Sequence, residues 1–190
     1  MGTDPDPGTL VRHAADGDLA AWEALVGRYT GMVWGIARSY GLGHADAGDV
    51  HQTVWLRLVE HLGRLTNPDG VGSWLATTTR RECLRTRKRA ARVVPSEDVI
   101  DTESDDPPPG YRLEAQERDR MVWSAVQRLE ERCRRLLRVL VADPAPTYEE
   151  VAAALDMPIG SIGPTRGRCL DKLRRILVDS GISATGGASA

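Results

Sequence analysis

Ser161, Gly163, Pro164, Thr165, Arg166, Gly167 and Arg168 crowd the start of a basic amphipathic stretch. A guanidinium can make two parallel hydrogen bonds to guanine, and small neighbours let a backbone approach base edges closely. The chemistry on offer is nucleic-acid recognition. Arg168 is the best-placed contact, and Arg174 and Arg175 farther along suit phosphate. A second set lies in the first half. Trp74, Thr77, Thr78, Arg80, Arg81 and Arg85 mix an aromatic, hydroxyls and guanidiniums, and the loop before them offers Arg64, Thr66 and Asn67. Single-stranded nucleic acid is held by such combinations of polar pockets, stacking surfaces and basic tracks. Trp74 also fits a core position. A third set, Asp46, Asp49, Val50, Gln52, Thr53 and Trp55, reads as a helix face suited to a protein partner or to solvent.

Catalytic and metal chemistry find little support. His13, His44, His51 and His61 are scattered. His51 stands near Asp46 and Asp49, but their helical positions do not converge and no second cluster answers them. No cofactor and no catalytic residue is expected. Cys83, Cys133 and Cys169 never form a C-x-x-C pair, which argues against a zinc site and against a disulfide framework. Buried thiols in a reducing cell are the expectation. No apolar run nears the length of a membrane span, and the first residues, acidic and turn-rich, are no secretory signal. A cytoplasmic protein is the default.

Helices must position these groups. Asp18 can cap a helix whose apolar residues Leu19, Trp22, Leu25, Val26, Tyr29, Val33 and Ile36 recur at three and four, until Gly41-Leu-Gly43 ends it. Val50, Val54, Leu58 and Leu62 line the next, from about Ala45 to Leu62. Residues 63–70 are turn chemistry, with Asn-Pro and Asp-Gly. Another helix starts near Val71 and carries the basic run, and a shorter amphipathic piece at Leu10–Ala15 precedes them all. Farther on, Val122, Ala125, Val126 and Leu129 mark one helix, and Cys133, Leu136, Leu137 and Leu140 the next. Thr147-Tyr-Glu-Glu150 is a capping box. It opens a short helix that turns at Asp156-Met-Pro158 into the last, whose inward residues are Ile162, Cys169, Leu173 and Ile176. Pro164 is tolerated there if it lies in the first turn, where its missing amide proton has no partner to lose. Arg166 falls near the inward stripe. Two short helices about a tight turn, the second basic, make a helix-turn-helix candidate.

The fold expected is all-α: a four-helix N-terminal domain over 8–92, a C-terminal helix-turn-helix domain over 111–180 and a frayed tail over 181–190. Between them the charge reverses. Arg80 to Arg92 holds seven bases and one acid, whereas Ser96 to Asp106 holds six acids and no base, followed by three prolines. The net charge of −2 conceals this. Like charge and proline leave residues 93–110 as an acidic flexible linker, and two basic modules joined by it imply two contacts with a polyanion.

In this order the pieces resemble the extracytoplasmic-function sigma factors of bacterial RNA polymerase, a group within the sigma-70 family. Ala21 to Tyr29 is similar to the family's opening helix, and Asp46-Ala-Gly-Asp-Val-His-Gln-Thr-Val-Trp55 to its core-binding helix. Gly72-Ser-Trp-Leu-Ala76 with the arginine-rich helix is similar to the element that reads −10 DNA. Thr147 to Ala152 with Ser161-Ile162 is similar to the helix-turn-helix that reads −35 DNA. The resemblance implies a specificity subunit without a catalytic site of its own. Asp46–Trp55 would dock on the polymerase β′ clamp, Arg64–Asp69 would hold a base flipped from the −10 strand, and the linker would thread toward the RNA exit channel. The C-terminal domain would sit on the β flap and place Gly163, Pro164, Gly167 and Arg168 in the −35 groove. Promoter duplex, promoter single strand and polymerase core are the implied partners, with an anti-sigma factor left open. Arg166 replaces the family's usual leucine, and Gly163 and Pro164 its polar or basic residues. Thr77, Thr78, Thr79 and His51 also depart from the pattern. These changes bear on the promoter read, not on the fold. The competing classes are a free-standing helix-turn-helix repressor or activator, which would need a dimer interface for two half-sites, and a helical adaptor or hydrolase. The first leaves the acidic linker and the basic first half without a purpose.

Overall fold

A computed structural model of the chain describes residues 5–93 and 121–180. Among these the regular elements are all helical, as the periodicity requires. The acidic linker and the C-terminal tail fall outside the described residues.

Helix α1 (Pro7–Ala15) is capped by Asp6, whose carboxylate accepts from the Thr9 amide at 3.0 Å. Helix α2 (Leu19–Ser39) is capped as expected by Asp18, which accepts from the Ala20 and Ala21 amides. Its inward line runs Ala21, Leu25, Tyr29, Met32, Val33 and Ile36. Gly41, at φ +74°, turns the chain where a side chain would be strained. Helix α3 (His44–His61) buries Val50, Val54, Trp55 and Leu58. The loop that follows is two short 3₁₀ turns, Leu62–Arg64 and Pro68–Gly70. Helix α4 (Val71–Val93) carries the basic run without interruption.

The second module starts with helical residues 121–127, here α5. Helix α6 (Glu131–Leu140) follows, then α7 (Tyr148–Leu155) and α8 (Ile159–Asp179). Thr147 and Glu150 close both halves of the anticipated capping box. Asp156 makes the α7–α8 turn in the left-handed region at φ 57°, a conformation that Asp tolerates better than most residues.

Three sequence expectations are corrected. First, Cys133 and Cys169 are not separate thiols. Their sulfurs lie within bonding distance, joining α6 to α8, with Cα atoms 5.3 Å apart. Residues 36 apart in sequence meet because both lie on the inward faces of crossing helices, and spacing along the chain carries no trace of that. Cys83 stays free and buried, and burial pushes its thiol up to about 12. Second, Pro164 is inside α8, beyond the first turn. The backbone bond it withholds is to a helix face open to solvent, where water can serve the Gly160 carbonyl. Third, Arg166 is exposed and Thr165 takes the inward place beside Ile162 and Cys169. The helix begins two residues before Ser161, which shifts the wheel.

The modules do not stand apart. One core of buried residues runs from Leu10, Leu25 and Leu75 through to Leu136, Val151 and Ile162. Helix α7 lies along α4, and α6 along α2.

Candidate nucleic-acid and polymerase surfaces

Helix α8 presents its first half to solvent. Pro164, Arg166, Gly167 and Arg168 are exposed, and Ser161 and Gly163 are half-buried. A Cβ built at Gly160, Gly163 or Gly167 would meet nothing within 4 Å, so this stretch of backbone is open to close approach. Arg168 donates to the Thr165 hydroxyl at 3.0 Å, one turn back. The buried Thr165 therefore acts as a prop for the guanidinium rather than as a contact. Ser161 turns its hydroxyl onto the Pro158 carbonyl at 2.8 Å and holds the turn between α7 and α8.

The loop between α3 and α4 leaves Arg64, Thr66 and Asn67 exposed. Thr66, Asn67 and Ser73 border a cleft of about 730 Å³, with the half-buried Trp74 on its wall. The opposite wall belongs to the second module: Pro146, Thr147, Glu149 and Glu150. Tyr29, also on this cleft, is pushed up to about 12, first by burial and then by the Glu150 carboxylate.

Helix α4 divides its predicted residues. Arg81 and Arg85 are exposed, Thr77 and Arg80 are partly covered, and Thr78 is buried. Thr79 is fully buried and returns its hydroxyl to the Leu75 carbonyl at 2.7 Å. Thr78 thus belongs to the packed side and not to a reading face. Arg80 pairs with Asp156 of the second module. Beyond it, Arg57 of α3 joins Arg85, Lys88, Arg89 and Arg92 around a groove of about 400 Å³. The buried Glu82 carboxylate sits at its base and pairs with Arg85 at 2.7 Å and Arg57 at 3.2 Å. Pairing leaves Glu82 satisfied and aims a strongly cationic rim outward. Arg57 escapes a reading of the sequence because it is remote from the basic run and arrives by the α3–α4 crossing.

Helix α3 sorts its residues likewise. Asp46, Asp49 and Gln52 are exposed, and Thr53 is half-buried. Val50 and Trp55 are core residues, 2% and 8% exposed, so they support this face without reaching a partner. Trp55 donates its indole N–H to His51 Nε2 at 3.1 Å and stands edge-on to Trp22. Two residues that sequence reasoning did not assign continue the outward line: Leu56, 59% exposed, and Val59, 54%. Asp49, Gln52, Leu56 and Val59 follow one another by three or four residues, and that register was the available signal.

Residues 25–93, from within α2 to the end of α4, match the sigma-70 region 2 family. The chain belongs to the sigma-70 family. No curated protein matches it. Among solved structures this sigma factor is similar to CnrH in complex with the cytosolic domain of CnrY. The identity is 22%, with a TM-score of 0.60, covering 93% of this chain and 99% of that one. It is similar also to the sigma factor RpoE in complex with the anti-sigma factor NepR from Bartonella quintana. There the identity is 23% and the TM-score 0.53, over 77% of this chain and 89% of that one. At these identities the likeness is one of fold, and the fold is the two-module helical layout of the extracytoplasmic-function group. The described residues of this sigma factor hold no group of three or more His, Cys, Asp or Glu able to bind a metal. None of their helices is long and apolar enough to cross a membrane.

Proposed function

We propose that this sigma factor directs promoter-specific initiation through three surfaces. The open first half of α8, with Arg166 and Arg168, enters the −35 major groove. Thr66, Asn67 and Trp74 hold a base of the melted −10 strand, and Arg81, Arg85 and the groove around Arg57 track its phosphates. Asp49, Gln52, Leu56 and Val59 dock on the polymerase β′ clamp. The domains run 8–92 and 111–180, joined by the acidic linker over 93–110. The chemistry is polymerase's own: this subunit contributes binding free energy to melting, in the cytoplasm. An anti-sigma factor fits as a further partner, since both CnrH and RpoE were solved with an inhibitory or cytosolic partner domain bound.

The observation that carries this reading is the pairing of a capped helix, a tight turn and an unobstructed small-residue helix face in one module with an exposed polar loop over a cleft in the other. Co-purification with polymerase core, followed by run-off transcription on genomic fragments, tests it. A defined set of starts that needs this chain is the expected result. Failure to bind core, or a self-sufficient dimer on palindromic sites, refutes it.

A further inference from the structure

We infer that the second module is built to mask the −10 surface of the first, so that this sigma factor holds itself closed until the modules are drawn apart. The inference rests on reading the 64–69 loop and α4 as the strand-holding surface.

The contacts are specific and come from both modules. Arg80, one of the cations facing a −10 strand, is engaged by Asp156 at the α7–α8 turn. Glu149 and Glu150 line the cleft that Thr66 and Asn67 open onto, so phosphates entering it would meet carboxylates. The Tyr40 hydroxyl donates to the Ala154 carbonyl at 2.9 Å in a buried bond, and Arg138 donates to the Arg38 carbonyl at 3.0 Å. The Arg135 guanidinium lies 4.6 Å over the Tyr40 ring. Two glycines admit this approach. A Cβ on Gly72 would fall 1.9 Å from Glu150 Oε1, the tip of a side chain. A Cβ on Gly31, in the middle of α2, would fall 2.4 Å from the Asp143 carbonyl oxygen, which is backbone and cannot swing aside.

Gly31 therefore supplies the test. It lies outside every surface assigned to DNA or polymerase, and alanine is the better helix former there. Gly31→Ala should leave the first module folded and force the second off it. In the full chain, small-angle X-ray scattering should show a larger radius of gyration. Affinity for a fluorescein-labelled pool of random-sequence single-stranded DNA should rise roughly tenfold, the gain expected when a form populated about one part in ten becomes dominant. Asp156→Asn, which keeps a residue suited to the left-handed turn, should move both readouts the same way by less. It decides the matter alone if circular dichroism shows Gly31→Ala unfolded. If the variants expand without tighter binding, while Asn67→Ala added to Gly31→Ala still weakens it, the mask is wrong and the −10 reading survives. If Asn67→Ala has no effect in the expanded chain, the −10 reading itself fails. Scattering and binding unchanged in both variants also overturn the mask.

Discussion

Arg168 and Thr165 show how one hydrogen bond orders a contact residue before any partner arrives. Held at 3.0 Å to a buried hydroxyl, the guanidinium gives up little rotamer freedom on binding. Arg168→Ala should weaken −35 binding by about 1–3 kcal/mol if the residue reads a base. Anisotropy on a −35 duplex with holoenzyme at fixed salt checks this, and an unchanged affinity removes Arg168 from the reading set. His51 illustrates a different dependence. Burial lowers its pKa below the ordinary 6.5, and its Nε2 accepts from Trp55, which requires the neutral ring. The unfolded chain then binds more protons than the folded one. Stability is full above about pH 6.5 and falls as pH drops through the lowered folded value. Urea melts followed by tryptophan fluorescence should show a loss between pH 7.5 and pH 5 (roughly the titration range of His). His51→Gln, which can still accept but does not titrate there, should flatten it.

At the scale of the element, α3 and α4 each divide into a packed side and a presented side. Helix α3 commits Val50, Val54, Trp55 and Leu58 inward, which leaves Asp49, Gln52, Leu56 and Val59 as a mixed stripe on the outside. Single exposed apolar residues are ordinary, but two in register with polar neighbours make a plausible interface core. Leu56→Arg should spare the fold, because the side chain is mostly in water already. It should reduce affinity for polymerase core at least about tenfold, a loss of roughly 1.4 kcal/mol or more, as buried interface anchors do. A pull-down with core enzyme, scored beside a thermal melt, separates lost docking from lost folding. Helix α4 is the more constrained element. Its packed side includes Thr78, Thr79 and the paired Glu82, so only part of its basic run is free to meet a polyanion.

For the whole molecule the decisive fact is a shared core. Tyr40 and Ala154 are far apart in sequence yet joined by a buried hydrogen bond at 2.9 Å. Such a bond contributes about 0.5–1.5 kcal/mol net. Tyr40→Phe keeps the ring beneath Arg135 and removes only the hydroxyl. Amide exchange in α7 should speed up by roughly two- to tenfold, with α2 unchanged. Equal exchange in variant and parent would mean that the α2–α7 contact carries none of the docking. Docking also explains why the acidic residues of α7 matter beyond their helix. Glu150 completes a cap, faces Gly72 across the interface and raises the Tyr29 pKa.

Period, caps and charge were legible without coordinates, because each depends on residues within a turn or two of one another. Asp18, the Thr147–Glu150 box, the Asn-Pro loop and the inward stripes of α2 and α3 all act at that range. The same local logic exposed the two basic modules and the open glycines of α8. What tertiary structure alone decided was which surfaces meet: Arg57 joining the basic groove, Cys133 reaching Cys169, Arg80 bound to Asp156, and the second module seated on the loop it was expected to stand clear of. Those outcomes depend on helix crossings and close approaches such as that at Gly31. They involve groups tens of residues apart, and no periodicity in the chain encodes which face of one helix will find another.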